Sequence, residues 1–160
     1  SVKISHCTIV RPNFMENLID IWFDYNIPKD SIVIEVSEDK VKGGLSDVLD
    51  KIVELKNNGF HIAIDNYGAK YADLFLFSEV KFDTLKLDRE LVHKLETDEK
   101  TCMISKSVID ICKNYNISVV AEGVENEKEY DILKEMGCDE AQGYLFDKPM
   151  SWNRFEEKYL

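Results

Sequence analysis

The chain lacks any apolar run near the ~18 residues that a membrane-spanning helix needs, so it supplies no transmembrane segment of that kind. It also lacks the basic-then-apolar pattern of a secretory leader, which leads to the expectation of a cytoplasmic protein. Bases are in deficit: 20 Lys and Arg stand against 31 Asp and Glu, a formal charge of −11. Such a surface does not hold DNA or RNA polymers nonspecifically. A small phosphorylated ligand at a local site remains open, particularly one bridged by a divalent cation. Cys7, Cys102, Cys112 and Cys138 are scattered and form no C-x-x-C pair, so reduced thiols fit better than disulfides or a zinc site. No low-complexity linker or charge block interrupts the 160 residues, and a single domain follows.

What is present is an alternation of short strand-like and helix-like segments. Residues 2–7, 31–36, 61–65, 84–87, 117–121 and 140–146 read as strands. Helical spacing runs over 13–25, 45–57, 72–77, a long stretch after Thr97-Asp98 that takes in 102–112, 127–136 and 152–159, with Leu45, Val48, Leu49, Ile52 and Leu55 as one apolar face. Asn57-Asn58-Gly59 and Gly137 supply stop signals. Six βα units of this kind imply an α/β fold with a mainly parallel sheet, a partial (β/α)8 TIM-like barrel, since a closed barrel needs eight.

In such folds the chemistry gathers at strand C-terminal ends. Glu35, Asp65, Lys86, Asp88, Glu122 and Gln142 all fall at or just past such ends. Converging carboxylates repel unless a cation sits among them, and an oxygen-rich set suits Mg²⁺ or Mn²⁺. A lysine in that ring stabilises phosphate charge or orients a water. Taken singly, each acid reads more simply as a helix cap or a solvated group, and Lys86 beside Asp88 as a surface ion pair worth about 0–1 kcal/mol. The histidines share no motif. A Schiff-base role for Lys86 is disfavoured because neighbouring acids keep it charged.

Five segments sharpen this. EVSE (Glu35 to Glu38), DNYGAKYADL (Asp65 to Leu74), KLDRELV (Lys86 to Val92), AEGVEN (Ala121 to Asn126) and QGYLFDKPM (Gln142 to Met150) resemble, in order, the ELTE, DDFGTGYSSL, KIDRSFV, AEGVET and QGYLFSKPL segments of the EAL family. Members of that family hydrolyse the bacterial messenger cyclic di-GMP to pGpG with two Mg²⁺ or Mn²⁺ ions, which generate hydroxide and neutralise the phosphodiester.

The resemblance implies Glu35 and Asp65 as metal ligands, with Lys86 and Glu122 catalytic at the metal–water site. Gln142 and Asp88 would bind ligand, and Glu38 would brace the loop after Asp65. It further implies cyclic di-GMP, a second copy or another protein as partner.

Three departures point away from hydrolysis. No E-A-L tripeptide occurs, so residues 1–160 read as an EAL-like domain without the segment that carries the signature. SVKIS (Ser1 to Ser5) is similar to the family's VNLS strand, which puts Lys3 where a metal-binding asparagine belongs. Asn66 replaces the second aspartate of the DD pair. A protonated ammonium cannot ligate a metal, and an amide is a weaker, neutral ligand. Ala69-Lys70 also replaces Thr-Gly in the following loop. The resulting expectation is a degenerate signalling domain that holds metal poorly and acts as a receptor or interaction module. The alternative is a metal-dependent phosphodiesterase within a longer chain.

Overall fold

The computed structural model describes residues 1–28, 31–38, 46–69, 74 and 76–160, leaving out the side chains of 6, 46 and 47. Six strands, β1 (Val2–Lys3), β2 (Val33–Ser37), β3 (His61–Tyr67), β4 (Thr84–Leu87), β5 (Ser118–Glu122) and β6 (Glu140–Gln142), pair in sequence order. Every pairing is parallel. The described helices are α1 (His6–Ile9), α2 (Phe14–Asp24), α3 (Ser46–Asn57), α4 (Leu76–Glu79), α5 (Arg89–Lys94), α6 (Glu99–Asn114), α7 (Glu127–Met136) and α8 (Trp152–Tyr159).

Strand alternation sorts the side chains into two rows. Ile34 and Val36, Ile62 and Ile64, Leu85 and Leu87, and Val119 and Ala121 are all buried and form one row. They join one core with Val48, Ile52 and Leu55 of α3 and Val108, Ile109 and Cys112 of α6. Each buried Val, Leu or Ile among them contributes about 1.5–3 kcal/mol. Glu35, Asp65, Lys86 and Glu122 occupy the other row, because each is an odd number of residues from those core positions. The pattern that builds the core therefore also aligns the charged groups.

Helix ends follow local chemistry. Asp88 caps α5 by accepting from Glu90 N at 2.8 Å, Asp98 caps α6 from Lys100 N at 3.1 Å, and Asn126 caps α7 from Glu129 N at 3.0 Å. The α7 helix stops at Gly137 in a left-handed conformation, φ +77°.

Four segments differ from the sequence reading. The first strand ends at Lys3, because Ser5 starts helix α1, its hydroxyl accepting from Thr8 N at 3.2 Å. The last strand stops at Gln142 rather than 146, since Gly143 packs directly on the backbone of Val124. The helix expected at 72–77 appears as Leu76–Glu79; residues 72, 73 and 75 lie outside the described residues, as do Leu45 and Lys70. Helix α5 was not expected, its six residues being too few for a periodic signal.

Candidate functional site

The strand-end row is a sequence of polar groups read across the sheet: Lys3 on β1, Glu35 on β2, Asp65 on β3, Lys86 on β4, Glu122 on β5 and the neutral amide of Gln142 on β6. Register explains the convergence. Lys3 lies opposite Glu35, Glu35 opposite Ala63 two residues before Asp65, and Glu122 opposite Gln142. Lys86 lies opposite Val120, two residues before Glu122.

Lys86 is the hub. Its Nζ donates to Glu35 Oε1 at 2.7 Å, lies 2.7 Å from Glu122 Oε1 and 3.6 Å from Asp65 Oδ1. Burial alone would lower its pKa. Hydrogen bonds to Glu122 and Glu35, with the charges of Glu122 and Asp65, outweigh that and raise it, so the ammonium is held protonated. Asp65 is 2% exposed, and its Oδ1 accepts no hydrogen bond. Its other oxygen, Oδ2, lies 2.5 Å from Lys3 Nζ. The row thus sets two ammonium groups against three carboxylates, with Glu35 and Asp65 side by side between the two lysines.

Asn66 follows Asp65 in a left-handed conformation, φ +58°, where the β3–β4 register shifts. This irregularity breaks strand alternation and lets Asn66 line the mouth as well. Its Nδ2 donates to Ser37 Oγ at 3.4 Å, a long bond. Glu38 is buried and its Oε2 accepts from Gly68 N at 3.0 Å, tying the end of β2 to the turn after β3.

A cleft of about 420 Å³ opens beside the row, lined by Asn66, Asp88, Arg89, Glu122, Gln142 and Tyr144 among others. Asp88 therefore both caps α5 and faces the cleft. Larger clefts, about 490 Å³ over α1–α2 and about 540 Å³ between α6 and α7, lie on the helix layer away from the strand ends.

The structure brings together Glu35, Asp65, Lys86 and Glu122, and places Gln142 and Asp88 on the adjoining cleft. Glu38 stands behind the row. Sequence reasoning missed Arg89, Gly123 and Tyr144 as cleft residues. Each sits inside a quoted motif, so motif membership was their available signal. It also missed the brace under the Glu122 loop. Glu129, 3% exposed, accepts from Glu125 N at 2.8 Å and lies 2.9 Å from His93 Nδ1. That pairing links α5 to α7 across 36 residues and had no motif to announce it.

Six parallel strands with acids, a lysine and an amide along one row of strand ends form a partial (β/α)8 barrel of the class that gathers its chemistry at that face. Residues 1–149 match the EAL domain family, and the chain belongs to it. It is 34% identical over 140 residues to RocR, a cyclic di-GMP phosphodiesterase of Pseudomonas aeruginosa; the match covers 88% of this chain and 36% of that one. Its fold is similar to the EAL enzyme Bd1971 in a form with cAMP and cyclic di-GMP bound. There the TM-score is 0.89 and identity 29%, over 97% of this chain and 41% of the other. It is also similar to BlrP1 of Klebsiella pneumoniae in a manganese/cyclic di-GMP complex, with TM-score 0.82 and 32% identity over 87% and 35% of the two chains. The chain thus spans well under half the length of these relatives. Among the described residues, no helix is long and apolar enough to cross a membrane.

Proposed function

We propose that this chain is a degenerate EAL domain, a receptor for cyclic di-GMP that leaves the phosphodiester intact. The carrying observation is the ammonium of Lys3, 2.5 Å from Asp65 Oδ2. In the family that carboxylate would hold metal. Lys86 takes up the carboxylates on either side, Glu35 and Glu122, so all three acids of the row face an ammonium.

This donor set does not fit two divalent cations. A metal-bound hydroxide forms because the ion lowers a water pKa by many units. An ammonium supplies positive charge but no open coordination position, and Asn66 brings no charge of its own. Changes around metal ligands alone typically cost 10–100-fold in affinity or activity, and here the ligand positions themselves are altered. Recognition is a separate matter. Gln142, Asp88 and Arg89 line the cleft beside the row and offer donors and acceptors to a nucleotide.

The second reading, a working phosphodiesterase, is favoured by the convergence of Lys86 with Glu35, Asp65 and Glu122. Incubation with cyclic di-GMP and Mn²⁺, followed by chromatography for pGpG, separates the two. Intact cyclic di-GMP is expected; linear product supports the enzyme. Calorimetry with cyclic di-GMP then distinguishes a receptor from a module that engages only another protein or a second copy.

A further inference from the structure

We infer that Lys3 is the resident cation of this mouth: it takes over two of the three tasks a divalent ion would perform there, and makes the site metal-independent. The inference rests on the non-hydrolytic reading above and goes beyond it by naming what replaces the metal.

The first task is neutralisation. Asp65 is almost wholly buried, and an unpaired carboxylate there carries a heavy desolvation cost. Lys86 cannot meet it alone. Its Nζ is at hydrogen-bonding distance from Glu35 and Glu122, both 2.7 Å away, while Asp65 Oδ1 stays at 3.6 Å with no hydrogen bond. Lys3 reaches the other oxygen of Asp65 from the edge strand β1, passing over β2. Register makes this reach possible, because Lys3 is fixed beside Glu35 and Ile4 N donates to Glu35 O at 2.9 Å. A two-residue strand is thereby anchored where its one cation can serve the row.

The second task is contact with ligand charge. An ammonium carries three N–H donors, and the ion pair with Asp65 Oδ2 engages at most one of them. The Lys3 side chain is 54% exposed, against 11% for Lys86. Lys86 is enclosed and spent on carboxylates, whereas Lys3 faces solvent with donors to spare for a phosphodiester oxygen. The third task, activating water, is the one an ammonium does not perform. Substituting lysine for metal therefore separates binding from cleavage.

The test compares the wild-type chain with Lys3→Asn, which shortens the side chain and removes its charge. With Mn²⁺ alone, calorimetry is expected to show no micromolar binding to wild type and a gain of at least about tenfold in Mn²⁺ affinity for K3N. Mn²⁺ is likewise expected to raise the melting temperature of K3N and leave wild type unmoved. With cyclic di-GMP in chelator, wild type retains its affinity, and K3N loses about tenfold or more and recovers it when Mn²⁺ is returned. Micromolar Mn²⁺ binding by wild type overturns the inference, as does equal nucleotide affinity of the two chains in chelator. Should K3N fold poorly, Lys3→Met serves as the second variant: it keeps the stem, and wild-type nucleotide affinity in chelator would overturn the inference equally. Release of pGpG by wild type refutes the receptor reading instead, so the two failures are distinguishable.

Discussion

At the scale of single residues, the row works by matching charge to burial. Lys86 is the most consequential member, because its removal would leave Glu35 and Glu122 without their shared partner. Lys86→Met is expected to cost about 3–5 kcal/mol, the usual consequence of stranding buried charge, read as a fall in the urea midpoint. A loss under about 1 kcal/mol would mean that solvent already screens the cluster. Glu129 carries a pH prediction. Burial would raise its carboxyl pKa, but the Glu125 backbone, His93 and the Asn126 backbone outweigh that and hold it below its ordinary 4.5. A folded-state pKa below the unfolded one stabilises above the ordinary value and is lost as pH falls through the folded one. Glu129→Gln is therefore expected to reduce stability at neutral pH and to narrow its gap from wild type on acidification below 4.5. A gap that stays constant across that range would contradict the assignment.

At the scale of elements, the strand ends are held in place by turns with little room. A Cβ on Gly143 would lie 2.0 Å from Val124 O and 2.3 Å from Val124 N, both backbone atoms that cannot swing aside. Val124 N in turn donates to Gln142 O, and Leu145 N to Val124 O. Gly143→Ala is expected to cost about 3 kcal/mol, the upper end for overpacking, and to loosen β6 first, visible as faster amide exchange at Gln142 and Leu145. Unchanged exchange would show that the two turns are not coupled. Asp88 separates two roles at the start of α5. Asp88→Asn keeps the cap and Asp88→Ala loses about 1 kcal/mol of it, so a binding defect shared by both reports the cleft and not the helix. The sequence revealed strands such as 61–65 and 84–87 because their β-branched and aliphatic runs are short and bounded. It did not reveal where 140–146 stops, since that depends on Gly143 meeting Val124, a contact made only after folding. Helix α1 was hidden for a related reason: a single turn begun by Ser5 looks like the tail of a strand.

At the scale of the whole molecule, alternation along parallel strands yields both a sealed apolar layer and an aligned charged row. The candidate residues were legible because each occupies a strand end in a motif, and the fold collects those ends. Their partnerships were less legible. The sequence placed Lys3 where a metal ligand belongs, but only three-dimensional register shows that its ammonium reaches Asp65 across an intervening strand. The Glu129–His93 brace was invisible for the same reason, as its members come from helices whose closeness the sheet dictates. The central proposal is that the mouth of this EAL domain is filled by its own cations and leaves cyclic di-GMP uncut. The most direct measurement is chromatography of cyclic di-GMP after incubation with the purified chain and saturating Mn²⁺. Recovery of the cyclic dinucleotide without pGpG is expected, and enzyme-dependent accumulation of pGpG would contradict the proposal.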